Sequence, residues 1–395
     1  MSAHRLVHVR GATAWAAMAA LIGMAVATIL VCAPSARAAD ETATAGFSMA
    51  SRSGPLYKEA HRPVNLDLNV EVKAPFPASP QILPLKQVTV DFPTDMKFVP
   101  KRGFPVCPDN QVGPPPVNMS VPPAEIIARC PRAVLGNGTA QLYLAHVNYA
   151  DGPNLKDPVL IVFNGGKTNA GLPKIKIYGY SKGTGAGIYM EGALHNDGKL
   201  AISVPVLTYD SAVGQFDLQI PATQPVQYDN APVPGSVGLD KTYVQSKCST
   251  GTWNLGAAFV LGTRDTAGNP TSPDSNISAP PVTENCSGLA GKSRFARVTA
   301  KGPKKVKRGK KGVFRVKLTN NGTATARAVK VKVAGKWVKT RTQRVGKLVP
   351  GQTRTVKVKA ALTRKAKRGK KTVIKFRAAA AKTGAKVGKA RVKVR

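Results

Sequence analysis

The last 105 residues of this 395-residue sequence contain no aspartate and no glutamate. Residues 291–395 carry 37 lysines and arginines, whereas residues 1–290 carry the other 22 and all 20 acidic residues, so the whole chain has a formal net charge of +39. A surface that serves only solubility ordinarily mixes charges of both signs. The asymmetry therefore indicates an anionic partner or surface for the C-terminal part.

Signatures of catalysis and metal binding are also scarce. Beyond residue 38 the only histidines are His61, His146 and His195, and none stands four residues from another histidine or from a cysteine. The glycine-rich stretch 183–187 is not followed by the Lys-Ser/Thr of a phosphate-binding loop, which favours a simple turn. The sequence predicts no enzyme, no cofactor and no metal. A secreted hydrolase with catalytic residues from distant parts of the chain stays the alternative.

Residues 1–38 are typical of a secretory signal peptide. Two early arginines precede an apolar run over 12–33, and Ala-Arg-Ala at 36–38 has the form of a cleavage site. An uncleaved membrane anchor is the alternative, since the run approaches the length that spans a bilayer. Lipidation of Cys32 is disfavoured, because valine precedes it where that signal requires a small residue. Removal of 1–38 leaves residues 39–290 with 19 basic and 20 acidic side chains, a net charge of −1.

Four cysteines remain after the predicted cleavage, and an even number in an exported chain indicates disulfide bonds. Three connectivities are possible for Cys107, Cys130, Cys248 and Cys286. The pairing Cys107–Cys130 and Cys248–Cys286 closes the shortest loops and is the one we expect. A structural zinc site is less favoured because no C-x-x-C pair is present.

Alternating hydrophobicity predicts an all-β protein. Residues 64–72 read Val-Asn-Leu-Asp-Leu-Asn-Val-Glu-Val, which is the period of a half-buried strand. Further strand-like runs cover 88–92, 139–147, 158–164, 173–180, 187–194, 199–206, 213–220, 242–248 and 253–263. The only helix expected is a turn or two at 123–129. Many short strands separated by turns are typical of β-sandwiches.

These patterns predict a chain of several parts. Residues 39–62 are expected to form a flexible lead-in, 63–287 a disulfide-braced N-terminal β-sandwich, 288–303 a linker, and 304–395 a basic sandwich. In this last part apolar residues alternate with cations, as in Phe-Arg-Val-Lys-Leu at 314–318. The apolar positions face a core, and nearly every outward position is cationic.

A repeated motif adds to this charge, because Lys-Val-Lys-Arg-Gly-Lys-Lys at 305–311 recurs as Lys-Ala-Lys-Arg-Gly-Lys-Lys at 365–371. Each copy precedes a strand and is expected to form a basic turn. Outward lysines on neighbouring strands form a lattice that can follow a chain of phosphates or carboxylates. The candidate polyanion-binding residues are Lys307, Arg308, Lys310, Lys311, Lys330, Lys332, Lys357, Lys359, Lys367, Arg368, Lys370 and Lys371.

Export favours an anionic cell-wall polymer, a glycolipid or a membrane surface as the partner. Nucleic acid is a further candidate, but only through phosphates, because residues 291–395 lack tyrosine and Phe314 and Phe376 fall on core-facing positions. A solvated spacer without any partner is the third possibility. The sequence says nothing of the oligomeric state.

Residues 306–395 resemble the CARDB and related immunoglobulin-like modules of bacterial surface proteins. The resemblance rests on Leu-Thr-Asn-Asn-Gly at 318–322, the valine strand at 329–333, and Leu-Val-Pro-Gly-Gln-Thr at 348–353 before another strand. It implies a seven-stranded sandwich that serves as an adhesion or spacer module without a catalytic site.

The front part is similar in style to uncharacterised secreted actinobacterial proteins. The features that carry this likeness are Cys-Pro at 107–108, Cys-Pro at 130–131 leading to 134–140, and a distal cysteine pair. We therefore expect a secreted or surface-associated, non-enzymatic envelope protein, held to anionic material by its basic module.

Overall fold

The computed structural model describes residues 41–74, 81–144, 147–195, 197–205, 211–263, 271 and 273–395. The predicted signal peptide and His146 lie outside these residues. The described chain is nearly all β, as predicted, and its one α-helix of seven residues, α1 (Pro123–Arg129), covers the predicted span. No helix within the described ranges is both long enough and apolar enough to cross a bilayer.

The front part, up to residue 289, is built on one large antiparallel sheet. Its strands are β1 (Thr42–Ser51), β2 (Leu56–Tyr57), β3 (Arg62–Lys73), β4 (Leu85–Asp91), β5 (Met96–Phe98), β6 (Val134–Tyr143), β7 (Val159–Lys167), β8 (Pro173–Ser181), β9 (Ala186–Leu194), β10 (Lys199–Ser203), β11 (Ala212–Ile220), β12 (Gln227–Tyr228), β13 (Ala231–Pro232), β14 (Val244–Ser246), β15 (Thr252–Leu261), β16 (Ser275–Asn285) and β17 (Gly288–Leu289). The large sheet has 13 strands in the order β16-β15-β4-β10-β9-β8-β7-β6-β11-β3-β14-β5, with β1 beside β3. The other four strands form two separate pairs, β2 with β17 and β12 with β13.

This sheet folds back on itself to form the predicted sandwich. Strand β1, which pairs with β3, also packs against β16 and β15 at the far edge of the sheet. The apolar residues of β3 are buried on the enclosed side, with Val64 at 0 % and Val70 at 1 % exposure, so the alternation predicted for 64–72 is confirmed. One continuous core thus lies between the two halves of a single sheet.

The centre of the sheet is buried on both faces. Residues 159–163 of β7 read Val-Leu-Ile-Val-Phe and are all buried; Leu160 and Val162 face the enclosed core, whereas Ile161 and Phe163 face a second apolar cluster outside it. A continuous apolar run is what a strand covered on both sides requires.

The segment 105–133 provides the outer cover. It includes α1 and a disulfide between Cys107 and Cys130, and Cys107 and Ile126 pack onto the outer face of β7 and β8. Lys176 of β8 is fully buried beneath this cover, and its Nζ donates to the carbonyl oxygen of Val112 and to the carboxylate of Asp109, each at 2.5 Å. Both predicted disulfides are present, since Cys248 is bonded to Cys286.

The basic part forms a separate sandwich with its own core. Its strands are β18 (Thr299–Lys301), β19 (Lys305–Val306), β20 (Lys311–Thr319), β21 (Ala326–Ala334), β22 (Val338–Lys339), β23 (Arg341–Leu348), β24 (Thr353–Leu362), β25 (Lys371–Ala380) and β26 (Thr383–Val394). A four-stranded sheet has the order β18-β20-β24-β22, and a five-stranded sheet the order β19-β26-β25-β21-β23. Seven of these strands have three or more residues, and β19 and β22 are short additions.

Two boundary predictions need correction. The segment 39–62 was expected to be a flexible lead-in, but β1 pairs with β3 along ten residues, because Ala43, Ala45 and Phe47 bury one face on the core. The segment 288–303 was expected to be a linker, but Phe295 is 1 % exposed in the basic core and β18 pairs with β20. Short or interrupted alternation hid both strands in the sequence.

The disulfide of the cover gives a first prediction. Because a disulfide that closes a loop of this length stabilises by about 3–4 kcal/mol, Cys107→Ala with Cys130→Ala should lower the free energy of unfolding by that order and loosen segment 105–133. Hydrogen exchange would locate the effect. Protection lost equally across β18–β26, whose core is separate, would contradict the assignment.

The buried lysine gives a second prediction. The hydrogen bond from Lys176 holds the pKa of Asp109 below its ordinary value, so this stabilisation is present above the unfolded pKa and is lost as the pH falls through the folded one. Asp109→Asn leaves a buried ammonium without its counter-ion. Because the Asp109 carboxylate is mostly exposed and screened by solvent, we expect a cost of about 2 kcal/mol at neutral pH, less than for a fully buried pair.

Lys176→Met is the matched control, because it replaces the buried charge by an apolar chain and should cost less than about 1 kcal/mol. Urea denaturation of both variants and of the double variant measures the coupling. If Asp109→Asn costs the same when Met occupies position 176, the ion pair plays no part in attaching the cover.

Candidate polyanion-binding surface

The alternation in the basic part places its cations outside and its apolar residues inside. Phe314, Val316 and Leu318 of β20 are each 0 % exposed, whereas Arg315 and Lys317 between them are exposed. The same arrangement holds on β21, β24, β25 and the end of β26. The cations are therefore fixed to a folded scaffold and not to a mobile tail.

The repeated motif forms two turns of the same kind. Val306 and Ala366, in the second position of each copy, are buried, and Gly309 and Gly369 have φ values of 73° and 75°. In each turn the lysines at the third and sixth positions of the motif are joined by a backbone hydrogen bond, from Lys310 N to the Lys307 oxygen and from Lys370 N to the Lys367 oxygen. A positive φ explains why glycine occupies the same place in both copies.

The fold brings these two turns together, although they are sixty residues apart in the sequence. Arg308 N donates to the carbonyl oxygen of Arg395, and Gly369 N donates to that of Val394, both at 2.9 Å. The turns thus stand on either side of the end of β26. Eight of the predicted residues gather at this end of the sandwich, namely Lys307, Arg308, Lys310, Lys311, Lys367, Arg368, Lys370 and Lys371. We call them the basic end.

The other four predicted residues do not join them. Lys330 and Lys332 lie on the outer face of the five-stranded sheet, whereas Lys357 and Lys359 lie on the outer face of the four-stranded sheet. The two sheets pack through their apolar faces, so these pairs point away from each other. The predicted residues therefore do not form one continuous lattice. They form three separate cationic surfaces: the outer face of each sheet and the basic end.

Cations oppose one another across neighbouring strands on both faces. The pairs in register are Lys301 with Arg315, Arg315 with Lys357, Lys330 with Arg344, Lys332 with Arg377, Lys375 with Lys389, Lys371 with Lys393, and Lys305 with Lys393. Like charges in directly opposite positions destabilise a sheet. In the described residues, the ion pairs involve only the front part, and none neutralises these cations.

Sequence reasoning did not place three further residues at the basic end. A cleft there is lined by Lys336 and Trp337 together with Lys367, Lys370 and Lys371. The Lys336 Nζ lies 5.0 Å from the centroid of the Trp337 ring, a cation–π distance. Lys393 reaches the same end through β26. The signal available in the sequence was Gly-Lys-Trp at 335–337, a lone tryptophan in a turn.

One carboxylate from the front part touches the basic part at its other end. Thr325 N donates to Glu59 Oε2 at 2.6 Å, just before β21 begins. Hydrogen bonds from Thr325 hold the pKa of Glu59 below its ordinary value, and the nearby Arg327 charge adds to this effect.

The front part holds a histidine, an aspartate and a serine close together, as the hydrolase alternative requires, but their bonding is structural. Asp95 accepts from the Ser249 N–H at 2.6 Å and from Ser249 Oγ at 2.8 Å, and it pairs with Lys247 at 3.1 Å. Burial and the Lys97 charge lower the pKa of His61 to about 4. This carboxylate fixes the backbone next to Cys248 and does not orient the imidazole toward the hydroxyl.

A second serine has the spacing of a nucleophile elbow, which the prediction of a non-enzymatic chain did not take into account. Gly-Tyr-Ser-Lys-Gly at 179–183 has the pattern G-x-S-x-G. Ser181 ends β8 and is followed by a turn into antiparallel β9, whereas the elbow requires a helix there. Its hydroxyl donates to Asp157 at 2.8 Å. Among the described residues, no group of three or more His, Cys, Asp or Glu side chains could hold a metal ion.

Comparison with known protein families agrees with the division of the chain into a front part and a basic part. The CARDB family model matches residues 296–382, which confirms the resemblance for the basic part; the likeness of the front part to secreted actinobacterial proteins stays a prediction. No curated protein matches the chain. A transglutaminase of red sea bream is similar with 9 % identity and a TM-score of 0.21, covering 89 % of this chain and 31 % of the transglutaminase, which is too distant to support an argument.

The Glu59 contact gives a third prediction. Because the folded pKa of Glu59 is lowered, its stabilising contribution is present above the unfolded pKa of 4.5 and disappears as the pH falls through the folded value. Glu59→Gln should therefore lower stability at pH 7 by less than about 1 kcal/mol, the usual range for an ion pair or hydrogen bond that remains accessible to solvent. Glu284→Gln is the control. A cost that persists unchanged at pH 2 would contradict the electrostatic reading.

Proposed function

We propose that this chain is a secreted, non-enzymatic protein of the cell envelope, attached to an anionic envelope polymer or surface by its basic module. The observation that carries the proposal is the meeting of the two Lys-x-Lys-Arg-Gly-Lys-Lys turns beside β26. Local sequence does not require these turns to meet, and their meeting concentrates eight cations at one end of a rigid module.

Energetics supports a polyanion as the partner. Cross-strand cation pairs weaken the free module, so an anion bound along them relieves repulsion while it forms new contacts. A polyanion also releases its condensed counter-ions when lysines and arginines replace them. Both contributions favour a partner with many regularly spaced charges over a single small anion.

The anchoring role is favoured over the other two candidates for different reasons. A pure spacer would gain nothing from like-charged pairs in register. A hydrolase would need a histidine or second carboxylate directed at a nucleophile, whereas Ser181 and Ser249 each bond to a single aspartate. The two disulfides fit the oxidising compartment that export implies.

The fourth prediction concerns salt. The full chain should bind vesicles containing phosphatidylglycerol, or an isolated anionic wall polymer, at low salt and release them at roughly several hundred millimolar salt. Replacing Lys307, Arg308, Lys367 and Arg368 by Gln should reduce the slope of log affinity against log salt concentration by up to about 3, since each lost phosphate contact contributes about 0.7.

The matched control removes the same charge elsewhere in the module, by changing Arg344, Lys347, Lys382 and Lys386 to Gln. All eight positions are exposed, so neither set should unfold the module. A similar loss of slope in both variants would mean that net charge, and not the basic end, determines attachment. Retention unchanged at high salt would rule out a polyanion and indicate a neutral ligand.

A further inference from the structure

The enclosed face of the large front sheet contains an apolar cavity of about 180 Å³. Its inner wall consists of buried side chains from neighbouring strands, including Val88, Leu160, Ile177, Met190, Ile202 and Phe216. The interior of a folded protein is ordinarily packed with few voids larger than a water molecule. A space of this size therefore needs an explanation.

Small residues at inward positions create the space. Ala140 of β6, Gly179 of β8, Ala186 of β9 and Ala212 of β11 all border the cavity. The register places them toward the same end of the sheet, since Ala212 lies opposite Tyr143 and Ala186 opposite Ser181. Elsewhere the same faces carry leucine, isoleucine and valine. The void thus follows from a local change in side-chain size on four strands.

The cavity opens at this same end. Its rim includes the half-buried Leu144 and Val204 and the exposed Thr184 and Pro205. A ligand can therefore place an apolar group among the aliphatic side chains while another part of it stays in water.

The lining excludes water and polar ligands as the natural contents. A buried water needs two to four polar partners, and an engineered cavity of about 150 Å³ with an aliphatic and aromatic lining stays dry and binds benzene. Two buried serines, Ser181 and Ser211, lie in the lining. Ser181 already donates its hydroxyl to Asp157, and Ser211 has an interaction partner of its own. A flexible aliphatic group satisfies such a wall, because it loses no hydrogen bonds on entering.

We propose that this cavity binds the alkyl chain of a single-chain lipid, with the polar head at the rim near Thr184. The proposal does not depend on attachment by the basic module, because the cavity lies wholly in the front part. It gives the front part a role as a carrier or sensor of an apolar chain.

Calorimetric titration of the full chain with straight-chain fatty acids of 6 to 14 carbons tests the proposal. Affinity should rise about fourfold for each methylene that enters, equivalent to about 0.8 kcal/mol, and then level off when the cavity is full. Binding should have a negative heat-capacity change. The affinity of n-alkanols should rise with chain length in the same way, because they share the alkyl chain and differ only in the head group. Tighter binding of a lysophospholipid than of a fatty acid with the same chain would support a single-chain lipid with a large head as the ligand.

Ala186→Leu should fill the mouth and weaken binding at least tenfold. Ala193→Leu is the matched control, because Ala193 is half-buried on the same strand but faces the opposite side. Val213→Thr is a nearly isosteric second variant that adds a hydroxyl to the wall; it should weaken binding several-fold even if the leucine variant does not fold.

Affinity that does not depend on chain length would overturn the proposal. So would equal effects of Ala186→Leu and Ala193→Leu, or binding of fatty acids that salt abolishes and that alkanols do not reproduce, since the last result would place the ligand on the basic module.

Discussion

The organisation of the basic part depends on one balance, between burial of alternating apolar residues and repulsion among the cations that alternate with them. The long strands β20, β21, β24 and β25 place valine, isoleucine or phenylalanine in a core with almost no exposure, as at Phe314 and Phe376, and burial of such side chains contributes about 1.5–3 kcal/mol each. Opposed cations across a strand pair cost less than this. The core can therefore maintain a charge distribution that would expand an unfolded chain.

The front part solves a different problem, because its central strands need cover on both faces. The sheet folds back to enclose one side, and segment 105–133 covers the other with a helix, a disulfide and the buried Lys176. An ammonium without any exposure is costly unless it is paired, so Asp109 and the Val112 carbonyl fix where the cover lies. Small residues at one end of the enclosed face leave the cavity unfilled.

Local patterns predicted much of this architecture, and long-range pairing accounts for what they missed. Alternation predicted β3, β20 and β21, and the shortest-loop argument predicted both disulfides. The single helix was also expected at 123–129. Alternation could not predict that β1 completes the sheet, because two of its inward residues, Ala43 and Ala45, are small and only weakly hydrophobic. Nor could it predict that the turns at 305–311 and 365–371 meet, since this requires β19 to pair in parallel with the last residues of β26.

The distribution of charge along the module completes the argument for attachment. The front part supplies all the carboxylates, and its contact through Glu59 lies where β21 begins, whereas the basic end lies where β21 ends and β20 begins. A strand of nine residues separates the two ends by about 30 Å. This exceeds the Debye length of about 8 Å at physiological ionic strength. The carboxylate of Glu59 is therefore too distant to neutralise the basic end, and the cations there remain available to the polyanion we propose.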